Sequence, residues 1–173
     1  MRHTAVRLRL ATVALALTLA PLAANAAPTP FDFYDRGPYR DGVPRPAQVL
    51  GYEPGTFHTG YGNMERYIDA LVHAASDRVV REPFGRTYEF RERTVLVISS
   101  PANLQRIDAI REATARLADP RTLANAAAAE RLVSDTPVTV WLNYSIHGDE
   151  SASFEAMMQV AYQIGRASCR ERV

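Results

Sequence analysis

The chain has 173 residues, 47% of them hydrophobic and 23% charged, with a single cysteine and a formal net charge of +1. All 20 basic residues are arginines, a usage that reflects a GC-rich coding sequence more than a binding preference. So small a charge gives no footprint for nucleic acid, and one cysteine excludes a disulfide framework.

Residues 1–26, "MRHTAVRLRLATVALALTLAPLAANA", open with basic Arg2, Arg7 and Arg9, continue through an apolar run from Leu10 to Leu19, and end in Ala24-Asn25-Ala26. This is the three-part pattern of a secretory signal peptide, with cleavage expected after Ala26. Pro21 and the small-residue exit leave the apolar run too short for a lasting bilayer span. An exported protein, periplasmic or secreted, is therefore expected.

From 27 to 55 the chain is a Pro/Gly-rich lead-in without a lasting apolar period, which reads as extended. Its aromatics Phe31, Phe33, Tyr34 and Tyr39 are expected to dock on a core. The folded domain is expected over 56–163. Asn63 is placed to cap a helix whose Met64, Tyr67, Ile68, Leu71 and Val72 share one face. A short run through Val79 and Val80 leads to a turn at Phe84-Gly85-Arg86.

"TVLVISS", Thr94 to Ser100, is a β-branched run that reads as a buried strand. Pro101 and Asn103 open a helix with Leu104, Ile107, Ile110 and Leu117 on one side, and a second helix follows Pro120. After Pro137, "VTVWLNYSI" reads as another strong strand. Residues 152–163 return to helical spacing, with Phe154, Met157, Met158, Ala161 and Tyr162 in a stripe expected to be core. This alternation favours an α/β layer architecture with a single modest core.

The last ten residues, "IGRASCRERV", hold the lone Cys169 and coincide with one reading frame of a common short-read sequencing adapter, through to its stop codon. The native sequence is therefore expected to end near Gln163, with 164–173 a non-native tail. Without leader and tail the chain keeps 14 basic against 18 acidic residues, a net charge of −4 and no thiol.

The chemistry concentrates in "NYSIHGDESASFEAMMQ", where His147 and Glu150 stand three apart between the expected strand and the last helix. An imidazole and a carboxylate are both zinc ligands, and a catalytic zinc keeps three protein ligands and a water. Two ligands do not complete such a site. Taken bare, the pattern is weak: His147 reads more readily as a hydrogen-bonded residue and Glu150 as an acid favouring the first turn of a helix. Its position at a strand end, where ligands bind in α/β sheets, and Asp149 as a group to orient a ligand favour the metal reading.

The order "FGRTYEFRERTVLVISSPANLQRIDAIR" and then "VTVWLNYSIHGDESASFEAMMQVAYQ" resembles the amino-terminal half of bacterial zinc carboxypeptidases of the carboxypeptidase A-like (funnelin) family. The resemblance covers roughly Tyr52 to Gln163. It implies part of a mixed sheet flanked by helices, truncated before the carboxyl-terminal half, with His147 and Glu150 as the first two zinc ligands. It also implies a peptide or protein substrate. Tyr88-Glu89-Phe90-Arg91 departs from the family's Glu-Gly-Arg, with Phe90 in the glycine position.

The family's third ligand, catalytic glutamate and carboxylate-holding asparagine and arginine all lie further along than this chain extends. His58 and His73 stand elsewhere and read as surface or packing residues. The resemblance thus implies that this polypeptide is an inactive fragment of a metallocarboxypeptidase. A zinc-dependent deacylase of N-acyl amino acids and a non-catalytic secreted binding module are the rival readings. Ser145 and Ser151 lack the Gly-x-Ser-x-Gly elbow of a serine hydrolase, and no Walker loop or dinucleotide-binding glycine fingerprint occurs.

Overall fold

Apolar residues recurring at helical spacing along Tyr61–Ala74 bury one side of a helix, with Tyr67, Ile68 and Leu71 almost fully removed from water. The computed structural model describes residues 39–167, and in it this helix, α2, is the element around which the core forms. The short α1, Pro46–Leu50, precedes it and buries Pro46 and Leu50. The last helix, α6, Ser151–Gly165, lays Met158, Ala161 and Tyr162 into the same core. Gly165 makes that approach possible: a Cβ there would lie 3.3 Å from Leu71 Cδ1 and from Val79 Cγ2.

Between these helices runs an antiparallel hairpin of β1, Val79–Arg86, and β2, Glu92–Ile98, in register from Val79 opposite Ile98 to Arg86 opposite Glu92. The register shifts between Pro83 and Gly85, where proline has no N–H to give the ladder and Phe84 is left as the extra residue. Phe84, Gly85 and Arg86, expected as the turn, belong to β1. The chain reverses instead at Thr87–Arg91, closed by Thr87 N–H to Arg91 O at 2.9 Å and Phe90 N–H to Thr87 O at 3.0 Å. Phe90 occupies the left-handed region at φ +60.

After β2, Ser100 caps α3, Pro101–Gln105, accepting from Asn103 N at 3.2 Å. A break at Arg106 separates it from α4, Ile107–Ala118, which buries Ile110. A 3₁₀ turn, Pro120–Thr122, leads to α5, Ala126–Asp135, capped by the Asn125 side chain and burying no residue. α2 is capped at Gly60 and not at Asn63, whose amide instead donates to Tyr52 Oη at 3.3 Å.

The architecture is mixed α and β, with helices and one two-stranded antiparallel sheet. The expected mixed sheet is not formed among the described residues, and "VTVWLNYSI" is not a strand: 137–145 has no regular structure. A strand needs a neighbour for its N–H and C=O groups. Here β1 and β2 pair with each other, and among the described residues nothing pairs with 138–146. Its Val138, Val140, Trp141, Leu142 and Ile146 are exposed.

Of the lead-in, Phe31, Phe33 and Tyr34 lie outside the described residues, as do the signal peptide and Cys169. Tyr39 does dock: it pairs in an isolated bridge with Ala167, and the Arg166 guanidinium sits 3.4 Å above its ring. No helix among the described residues is long and apolar enough to cross a membrane.

Candidate metal centre

His147 and Glu150 lie in the turn that enters α6, held by Glu150 N–H to His147 O at 3.3 Å. The turn is preceded by Ser145, a non-glycine residue at φ +50, whose hydroxyl donates to His147 O at 3.3 Å. Both side chains are accessible, His147 71% and Glu150 47% exposed. They meet directly, Nδ1 to Oε1 at 2.6 Å.

That contact discriminates between the two ordinary uses of a glutamate at this place. Glu150 occupies the N-cap position of α6, yet its carboxylate makes no capping hydrogen bond. It turns to the imidazole instead. With the carboxylate accepting, the proton of this bond is carried on Nδ1.

The donor types fit zinc. The spacing is that of a hydrogen bond, whereas two ligands on a tetrahedral zinc stand about 3.3 Å apart. Joint ligation by Nδ1 and Oε1 therefore requires loss of the shared proton and a small opening of the pair, which their exposure permits. Among the described residues no third His, Cys, Asp or Glu joins them. Asp149, expected to orient a ligand, is exposed, and its carboxylate bonds neither residue; its backbone carbonyl accepts from Ser151 N at 3.0 Å.

A cleft of about 610 Å³ adjoins this turn, with Gly148 on one wall and Phe154 of α6 beside it. The opposite wall is the 58–63 segment, and Arg91 from the hairpin reaches in. His73 is exposed on α2, away from this cleft. His58, exposed and tilted against Phe154 at 6.2 Å between ring centroids, lines it.

The wall carrying His58 is anchored by Glu155, a residue the sequence reading passed over. Its buried carboxylate accepts from Thr59 N at 2.9 Å and from Gly55 N at 3.2 Å. Thr59, itself buried, meets Tyr52 Oη at 3.0 Å, and Asn63 completes the chain of bonds. The signal was present: Glu155 stands three residues before Met158 and seven before Tyr162, an acid on the buried face of α6.

Tyr61, also in the cleft, has its phenol pushed above the ordinary value by burial and then by the charge of Glu65, and its hydroxyl donates to Glu92 O at 3.0 Å. No family model, curated protein or solved structure matches this chain.

Proposed function

We propose that this protein is a zinc-dependent peptide hydrolase of the carboxypeptidase type, in which His147 and Glu150 are two of the metal ligands. The observation that carries the reading is the side-chain contact of 2.6 Å in an exposed turn, made by a glutamate that leaves its helix uncapped to make it. Two further features support it: the cleft opening beside Gly148, of a size that accepts a peptide segment, and the order of motifs around the pair.

Zinc, when bound, supplies Lewis acidity toward a carbonyl oxygen and toward water. The chain's own residues would present an imidazole nitrogen and a carboxylate oxygen to it, while the Ser145–Glu150 turn holds both on the solvent side of α6. Among the described residues no third ligand joins the pair, so the 173-residue chain by itself should bind zinc through the pair without turnover.

The test is a Zn²⁺ titration of the purified chain by calorimetry, with His147→Ala and Glu150→Gln alongside. Each substitution should weaken binding by about tenfold or more, the scale on which metal sites respond to lost partners. Unchanged affinity in both variants would remove the metal reading. Chelator-sensitive carboxypeptidase turnover by the chain itself, abolished in His147→Ala, would overturn its assignment as an inactive piece. Resequencing the genomic locus across the codon for Gln163 then decides whether a downstream histidine, arginine and glutamate exist.

A further inference from the structure

We propose that the cleft beside Gly148 is a subsite for an acidic side chain of the bound peptide, with Arg91 as the cation that selects it. The proposal deepens the hydrolase reading and rests on it for the identity of the ligand as a peptide.

The cleft's charge is one-sided. Among the described residues lining it, Arg91 supplies a fixed positive charge and His58 a group able to carry one, and no Asp or Glu is present. Its shape is set by residues that leave room: Gly60, Gly62 and Gly148 add no side chain, and a Cβ on any of the three would meet nothing within 4 Å. The rings of Tyr61 and Phe154 supply apolar surface for the methylene stem of an aspartate or glutamate.

Arg91 is suited to the task. Its guanidinium carbon lies 5.6 Å from the Tyr61 ring centroid, within cation–π range, and its planar fork of donors is of the kind that takes a carboxylate with two bonds. Its present partner is Glu89, at 2.9 Å on the exposed side of the hairpin turn. An exposed pair of this kind contributes little, so an incoming carboxylate held on the apolar walls of the cleft displaces it at small cost.

The cleft's opposite wall is tied to α6, because the Glu155 carboxylate accepts from Thr59 N and Gly55 N on either side of His58. Since Gly148 directly follows His147, a side chain seated here belongs to a residue within reach of the candidate metal pair.

The experiment is an NMR titration of the purified 173-residue chain with the blocked peptide acetyl-Ala-Glu-Ala-Ala-amide and its Gln counterpart. The Glu peptide should bind about tenfold more tightly than the Gln peptide, the scale of one charge-assisted bidentate pair, and should shift the Gly148 and Gly62 amides. Arg91→Gln, an exposed substitution whose folding is checked by circular dichroism, should bring the two peptides to equal affinity. Glu89→Gln, which frees Arg91, should tighten the Glu peptide by about two- to threefold.

Equal binding of both peptides to the parent chain, no binding of either, or a preference that survives Arg91→Gln would each overturn the subsite. The zinc titration keeps the two proposals apart. A Glu preference that persists in a chain without zinc affinity leaves the subsite standing and removes the hydrolase reading; zinc binding without a Glu preference does the reverse.

Discussion

The apolar residues of α2 and α6 and those of 138–146 meet opposite fates in the fold. Along α2 and α6, Tyr67, Leu71, Met158 and Tyr162 are 0–2% exposed, whereas Val138, Val140, Trp141, Leu142 and Ile146 are 52–90% exposed. The helices satisfy their own backbone groups and need only a partner face, which each provides for the other. A strand cannot do this alone, so β-branched composition at 138–146 produces no ladder where no neighbour runs beside it. Composition proposes an element, and the available partner decides it.

The contrast is broken or upheld most directly by truncating one residue in each stretch. Leu71→Ala should lower stability by about 2–5 kcal/mol, since it empties a packed site against Gly165 and leaves a cavity. Trp141→Ala should change it by less than about 0.5 kcal/mol, although it removes the larger side chain. Urea unfolding of both variants checks this, and a Trp141 cost comparable to that of Leu71 would mean that 138–146 is packed after all.

Glu155 sharpens the comparison, because it is a polar residue inside the buried region. Glu155→Ala leaves the amides of Thr59 and Gly55 without acceptors and should cost about 1–3 kcal/mol. Glu155→Gln keeps one acceptor oxygen and should cost less. Amide hydrogen exchange gives the local readout: Thr59 N–H should exchange faster in the alanine variant, while amides in the middle of α4 are unaffected.

How much could be read from the sequence follows the same division. The helical stripes of α2 and α6 and the presence of a strand at 94–98 were legible because period reports on one element at a time, but that strand, expected to be buried, is only half-buried, as it lies in a two-stranded sheet. That His147 and Glu150 are neighbours follows from their spacing at a helix entrance, whereas the direct hydrogen bond between them was not among the expectations. The cleft was not, because its walls come from 58–63, Arg91 and 148–154, brought together only by packing of α6 on α2. Glu155 was hidden by its setting, an acid within an apolar stripe whose partners are backbone amides 96 and 100 residues away.

The Thr87–Arg91 turn shows a local rule overridden. Phe90 holds a left-handed conformation that suits glycine, and at 78% exposed its ring gains little from packing. Phe90→Gly should therefore stabilise the chain by about 0.5–1 kcal/mol, the relief of strain exceeding the entropy that glycine adds to the unfolded chain. A loss of stability on thermal unfolding would mean that the ring makes contacts worth more than the strain.

The smallest expected effect lies where the lead-in meets the core. The Arg40 guanidinium donates to both carboxylate oxygens of Asp77 at 2.9 Å, and this hydrogen bond is the main reason that the Asp77 carboxyl sits below its ordinary range, with burial acting weakly against it. A carboxyl whose folded pKa is depressed stabilises the fold above its unfolded pKa of about 3.9, and that contribution fades as the pH falls through the folded value. Both partners are more than one-third exposed, so screening holds the pair to a few tenths of a kcal/mol. Asp77→Asn should thus cost that little at pH 7, less in high salt, and progressively less as the pH falls through the lowered folded value of the Asp77 carboxyl. A difference that did not shrink with acidification would show that Asp77 acts through shape and not through charge. The lead-in would then be held mainly by the neighbouring Arg40 N–H to Arg166 O bond at 2.9 Å and the stacking of Arg166 on Tyr39.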